Sequence, residues 1–204
     1  MREGMSIGDF ALDAIELLDA EGIPRCHVVG HSLGGMIGLA MGISYRSRVK
    51  SLTIINSSVS GMGLQQISWR AALFFFLCRV FPRARNRIMA PLLLPKRFGR
   101  FNRDEVVGAW DKILLEEGPG VTAAAGQLSA ALTFFVGTDL AKMTTPTMII
   151  AGTKDRLVPN ANSLILHRFI PGSQLVEIEG GHHELALQFP ERIVGEVVKF
   201  TSES

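Results

Sequence analysis

Disulfide scaffolds and cysteine-rich metal sites are the first chemistry this chain excludes. It holds two cysteines in 204 residues, Cys26 and Cys78, too few for either. Cys26 enters an apolar strand-like run and Cys78 an aromatic helical one, so both read as reduced, buried thiols. Charge of one sign is missing too. The 21 Lys and Arg are intermixed with 19 Asp and Glu for a net charge of +2, which argues against a nucleic-acid surface. The most basic stretch, Arg79 to Arg103, is interleaved with Phe81, Phe98 and Phe101. It reads first as a solvated helical rim and second as a patch for an anionic ligand or a membrane surface. The most apolar segment, Ala71 to Phe81 ("AALFFFLCRVF"), is far too short to cross a bilayer and carries Arg79. The opening "MREGMSIGDF" has charge but no apolar signal core, so a cytoplasmic protein is expected by default. There is no internal repeat and no low-complexity tract.

Apolar residues are plentiful instead. They make up 47% of the chain, enough for the core of one domain, and composition suggests no second. Ser6 with Asp9 predicts a capping box, and Phe10, Ala14, Leu17 and Leu18 then recur at helical spacing as far as Gly22-Ile23-Pro24. "CHVVG" reads as a short strand too apolar to have a wet face, as in a parallel sheet covered on both sides. A glycine-rich helix follows from Leu33 to Ser44, then a buried strand in "VKSLTIINSS". From about Gly61 to Leu140 the chain changes character: helical patterns broken by Pro82, Pro91, Pro95 and Pro119, without β-branched runs. This is an inserted helical block, residues 61–140. Strand and helix patterns resume with "TPTMIIAG", Asn160 to Phe169, "SQLVEIEG", and a closing helix from Pro190 to Phe200. Proline suits that helix's first turn. Strands alternating with helices predict an α/β fold with a mostly parallel sheet and flanking helices.

Gly30-His31-Ser32-Leu33-Gly34 is a G-x-S-x-G match lying after a predicted strand and before a predicted helix. A bend that sharp would hold Ser32 above the sheet edge, with Gly30 and Gly34 required to be tiny. Helix-start N–H groups favour developing negative charge, and Leu33 N–H would donate to an oxyanion. An ordinary Gly-Ser turn capping a helix is the alternative. A serine hydroxyl needs an oriented base to attack anything at neutral pH. Asp155, in "GTKDRLVP", follows a predicted strand and so lies on the same sheet edge as Ser32. His182 and His183 follow the next strand in "EIEGGHHELALQFPER". Each could be an inert turn or surface residue alone; their agreement in order, Ser then Asp then His, favours an enzyme.

With those motifs in view, the sequence resembles the α/β-hydrolase superfamily, in particular the bacterial esterases, lactonases, C–C bond hydrolases and cofactor-free haloperoxidase-like enzymes. The resemblance covers nearly the whole chain, through "FALDAIELLDAEGIPRCHVVGHSLGGMIGLAMG", "TPTMIIAGTKDRLVP" and "LVEIEGGHHELALQFPERI". It implies Ser32 as nucleophile, Asp155 as orienting acid and a histidine base. It also implies a core of residues 1–60 and 141–204 under a cap formed by 61–140. In relatives the base lies seven residues before the proline of the last helix, which counts back to His183. Relatives also have glycine just before the base, which favours His182. The spacing rule needs no gap, so His183 is the expected base and His182 the alternative. Relatives with aspartate as nucleophile are excluded by Ser32.

Relatives also carry a front segment with the first strands and a His-Gly loop that supplies a second oxyanion donor. Neither is found upstream of Ser32, so the chain is expected to be N-terminally truncated and its activity weakened. The expected reaction is hydrolysis of a carboxylic ester, lactone or related acyl substrate through an acyl-enzyme, with no metal or organic cofactor. The block's leucines and phenylalanines (Phe74, Phe75, Phe76, Phe81) favour a small apolar acyl or aromatic substrate, though such residues, like Phe134 and Phe135, often only pack. A non-catalytic binding or scaffold protein and an acyltransferase are the rival readings. A homo-oligomer is compatible with the sequence.

Overall fold

Ser6 opens the first helix by a reciprocal exchange. Its Oγ accepts from Asp9 N–H at 3.2 Å, and its own N–H donates to Asp9 Oδ2 at 2.7 Å. This is the capping box read from the sequence. In the computed structural model, which describes residues 5–59, 69–116 and 121–204, this helix is α1 (Ile7–Ala20). It leads into β1 (Cys26–His31), α2 (Leu33–Ser44) and β2 (Val49–Ile55). A mainly helical stretch follows: α3 (Trp69–Val80), α4 (Arg85–Leu93), the strands β3 (Arg97–Phe98) and β4 (Phe101–Asn102), α5 (Arg103–Glu116) and α6 (Val121–Thr133). The chain returns through β5 (Thr147–Gly152), α7 (Ala161–Phe169), β6 (Gln174–Ile178), α8 (Leu185–Gln188) and α9 (Pro190–Ser202).

The main sheet is parallel throughout, in the order β1-β2-β5-β6. One face is covered by α1, α2 and α7, whose Ile7, Ala11, Leu39 and Leu166 pack on Leu52, Ile54 and Ile149. The other face buries Ile55, Met148, Ile150 and Ile178 under Leu185, Ile193 and Phe200 of α8 and α9. The fold is therefore α/β with helices on both sides. Parallel strands put all their carboxyl ends on one edge, and this brings residues 31–32, 56, 152–155 and 179–183 together. No helix among the described residues is long and apolar enough to cross a membrane.

Several expectations are corrected. β1 does have a wet face: Val29 is 50% exposed, because β1 ends the sheet and the α8–α9 cluster draws no residue from it. Cys26 and Cys78 are free thiols but only half-buried. Pro91 does not break its helix; it lies inside α4, where only the carbonyl four residues earlier loses its helical donor. The helical stretch also contains the β3–β4 hairpin, so the basic run is not purely helical. There Phe98 is buried, and the Arg100 guanidinium lies 5.0 Å from the centroid of the Phe101 ring. The first residues (1–4), the start of the helical block at 61–68, Pro119 and the side chains of Phe75 and Arg79 lie outside the described residues.

Candidate active site

β1 delivers Ser32 to the sheet edge, and the backbone bends there. Ser32 has φ +52° and ψ −116°, one of two described non-glycine residues with positive φ. Such a conformation costs of order 1–3 kcal/mol and persists only where its surroundings hold it. Those surroundings are specific. Ser32 N–H donates to Ile55 O at 2.9 Å, and Ser57 Oγ donates to Ser32 O at 2.6 Å. A Cβ on Gly30 would run into the Gly34 carbonyl, whose carbon lies 2.5 Å away. Gly34 itself differs from expectation, since a Cβ there would meet nothing within 4 Å among the described residues. The glycine that the bend needs after the serine is Gly35, where a Cβ would lie 2.5 Å from Ser57 Cβ. Ser32 Oγ makes no hydrogen bond among the described residues, and Leu33 N–H, in the first turn of α2, has no intrahelical partner.

Asp155 and His183 meet directly. His183 Nδ1–H donates to Asp155 Oδ2 at 2.7 Å, with both side chains almost fully buried. The other carboxylate oxygen accepts from Leu157 N at 2.8 Å and Val158 N at 2.9 Å, which fixes the carboxylate plane. With Nδ1 donating, a neutral His183 ring leaves Nε2 free to accept a proton. His182 is turned elsewhere: its Nδ1 donates to Gly180 O at 3.1 Å. Burial lowers the His182 imidazole below the ordinary 6.5, aided by the nearby Arg156 charge.

His31, the residue before Ser32, stands beside His183. Their ring centroids are 4.7 Å apart, and His31 Nε2–H donates to His183 O at 2.9 Å. Burial first, then the His183 charge, pushes His31 below 6.5. Asn56 was not foreseen as part of this edge, although an amide ending the apolar run "TIIN" is a visible departure from strand composition. It is 1% exposed and hydrogen-bonds to Gly152, His182 and His183. Ser57 was missed as well. Of the phenylalanines read as favouring an apolar substrate or as packing, Phe76, Phe81 and Phe135 are exposed and Phe74 and Phe134 half-buried.

The strained serine and the buried Asp–His pair lie on one edge of a parallel sheet, and the fold that holds them matches known proteins. A sequence model described as the alpha/beta hydrolase fold matches residues 3–190. The chain belongs to the α/β-hydrolase fold family. Among its relatives is a protein of Azorhizobium caulinodans provisionally named carbamate hydrolase RutD, 29% identical over 186 residues, covering 91% of this chain and 69% of that protein. A protein of the same name from Pseudomonas savastanoi pv. phaseolicola is 33% identical over 180 residues, covering 87% of this chain and 68% of its own length. The crystal structure of a hydrolase from Pseudomonas aeruginosa PA01 superposes with a TM-score of 0.80 at 23% identity, covering 98% of this chain and 74% of that one. That likeness bears on the fold.

Proposed function

We propose that this α/β-hydrolase-fold chain is a serine hydrolase of small acyl substrates, with Ser32 as nucleophile, His183 as base and Asp155 as the acid that orients it. The observation that carries this reading is the buried 2.7 Å pair of His183 Nδ1 and Asp155 Oδ2 on the edge where Ser32 is held at a left-handed bend. In the reaction, Ser32 Oγ attacks the acyl carbon as its proton passes to His183 Nε2. The tetrahedral oxyanion is met by Leu33 N–H, and the imidazolium returns the proton to the leaving group. Water then attacks the acyl-enzyme, gives one proton to the same nitrogen, and releases the acid with Ser32 restored.

Esters and lactones remain the expected substrates. The RutD relatives add carbamates, which share the carbonyl chemistry and differ in the nitrogen beside it. Residues 61–140 serve as a cap over the core of 1–60 and 141–204. Supporting this, the helical block reaches the histidine loop itself: Glu184 N–H donates to Leu93 O at 3.1 Å.

The test is mass labelling with a fluorophosphonate, paired with turnover of a p-nitrophenyl ester and the matching carbamate. The folded chain should gain one adduct at Ser32, and Ser32→Ala should lose both labelling and turnover. Folded protein left unlabelled, or equal turnover by Ser32→Ala, would overturn the reading.

A further inference from the structure

Asn56 sits where three strand ends converge. Its own backbone is left-handed, at φ +45°, a region asparagine tolerates better than most residues. Its N–H donates to Ile150 O at 3.0 Å, which anchors the residue to β5. The side chain then reaches in two directions. Oδ1 accepts from Gly152 N–H at 2.8 Å, at the root of the loop carrying Asp155. Nδ2 donates to His182 O at 2.9 Å and to His183 O at 2.8 Å.

The amide's orientation is fixed by its partners. One acceptor faces an N–H and two donors face carbonyls, so a flipped amide would mismatch all three contacts. Asp would bring oxygen against both carbonyls, and Ser is too short to bridge the two loops. The His183 carbonyl is also held by His31 Nε2–H and Leu185 N–H, each at 2.9 Å. A base whose ring must aim Nε2 at Ser32 is thus gripped at its backbone from β1, from the residue just after β2, and from α8.

We infer that Asn56 is a positioning residue: its amide ties the Asp155 loop to the His183 loop and so sets the contact between the two side chains. His31 assists by fixing the same carbonyl from the nucleophile's side. This role rests on the serine-hydrolase reading above, but its physical content does not depend on turnover.

The experiment compares the full chain with Asn56→Gly, which keeps the positive φ and deletes the amide, and Asn56→Asp, which keeps the shape and removes the donors. Proton NMR follows the far-downfield signal of the His183 Nδ1 proton, assigned by its loss in Asp155→Asn. In both folded Asn56 variants that signal should broaden or vanish, and kcat should fall about a hundredfold with KM little changed, as expected when reacting groups are misaligned by about 1 Å. A folded variant that keeps the parent signal and the parent kcat overturns the role. Should both variants fail to fold, amide exchange in the unmodified chain decides: Gly152 N–H should be as protected as Ile150 N–H, and exchange at the rate of an exposed loop amide overturns the proposal. Turnover unchanged in Ser32→Ala would remove the hydrolase reading while leaving the proton signal as a report on Asn56. Ser32-dependent turnover with an Asn56-independent signal would remove only the role of Asn56.

Discussion

Spacing favours His183 over the adjacent His182 as base, and the surroundings of the two histidines differ in the same direction. His183 Nδ1 is committed to a buried carboxylate, the partner a proton-accepting ring needs; His182 Nδ1 is committed to a carbonyl of its own loop. Only the first arrangement suits a proton acceptor, because a carbonyl partner offers no counter-charge when the ring ionises. His183→Ala should therefore lower kcat/KM for a p-nitrophenyl ester on the order of 10²–10⁴-fold, the range a positioned general base contributes. His182→Ala should stay near the parent value in the same assay. The reverse pattern would move the base by one residue. Asn56, 126 positions from His182 in sequence, could not be singled out in this way from the sequence. Its importance lies in which backbone groups it meets, and an Asn after a strand ordinarily marks a turn.

At the level of elements, the strand–bend–helix around Ser32 was legible because its signals are local. The Gly-flanked serine, between an apolar run and a small-residue helix, occupies five consecutive positions, Gly30 to Gly34, and β1 and α2 begin and end close to where the pattern puts them. The Asp155 and His183 loops were legible because parallel strands send their carboxyl ends to one edge. What escaped were features decided by distant packing: the wet face of β1, the β3–β4 hairpin, and Gly35 rather than Gly34 as the glycine pressed against Ser57. A second close junction between elements lies at the end of β5. A Cβ on Gly152 would lie 2.5 Å from Gly181 O and 2.9 Å from His182 O, both backbone atoms that cannot swing aside. Gly152→Ala must push the histidine loop away from the Asp155 loop. It should cost about 1–3 kcal/mol, the usual penalty of overpacking, in urea unfolding. Ester turnover should fall with it. An unchanged unfolding midpoint would mean that the loops are not packed as described.

For the whole molecule, the half-buried His31 and buried His182 imidazoles tie stability to pH. His31 and His182 are both pushed below 6.5, chiefly by burial. His31 also faces the His183 charge, which lowers it further, and Glu184 and Asp155, which partly counter this; His182 faces Arg156 and, more weakly, Asp155. The native state therefore binds fewer protons than the unfolded chain just below 6.5, where unfolded imidazoles charge and these two resist. Stability rises with pH wherever the unfolded state holds more protons. The contribution of these residues is fully present above 6.5 and is lost as pH falls from 6.5 toward their lower native values. Urea midpoints should thus decline between pH 7.5 and pH 5.5, over a range where carboxylates mostly stay ionised and account for little of the change. His31→Gln keeps a donor within reach of the His183 carbonyl but cannot titrate, so its midpoint should decline less over the same interval. If the parent chain and His31→Gln lose stability equally, His31 is not resisting protonation, and the acid sensitivity must originate elsewhere in the fold.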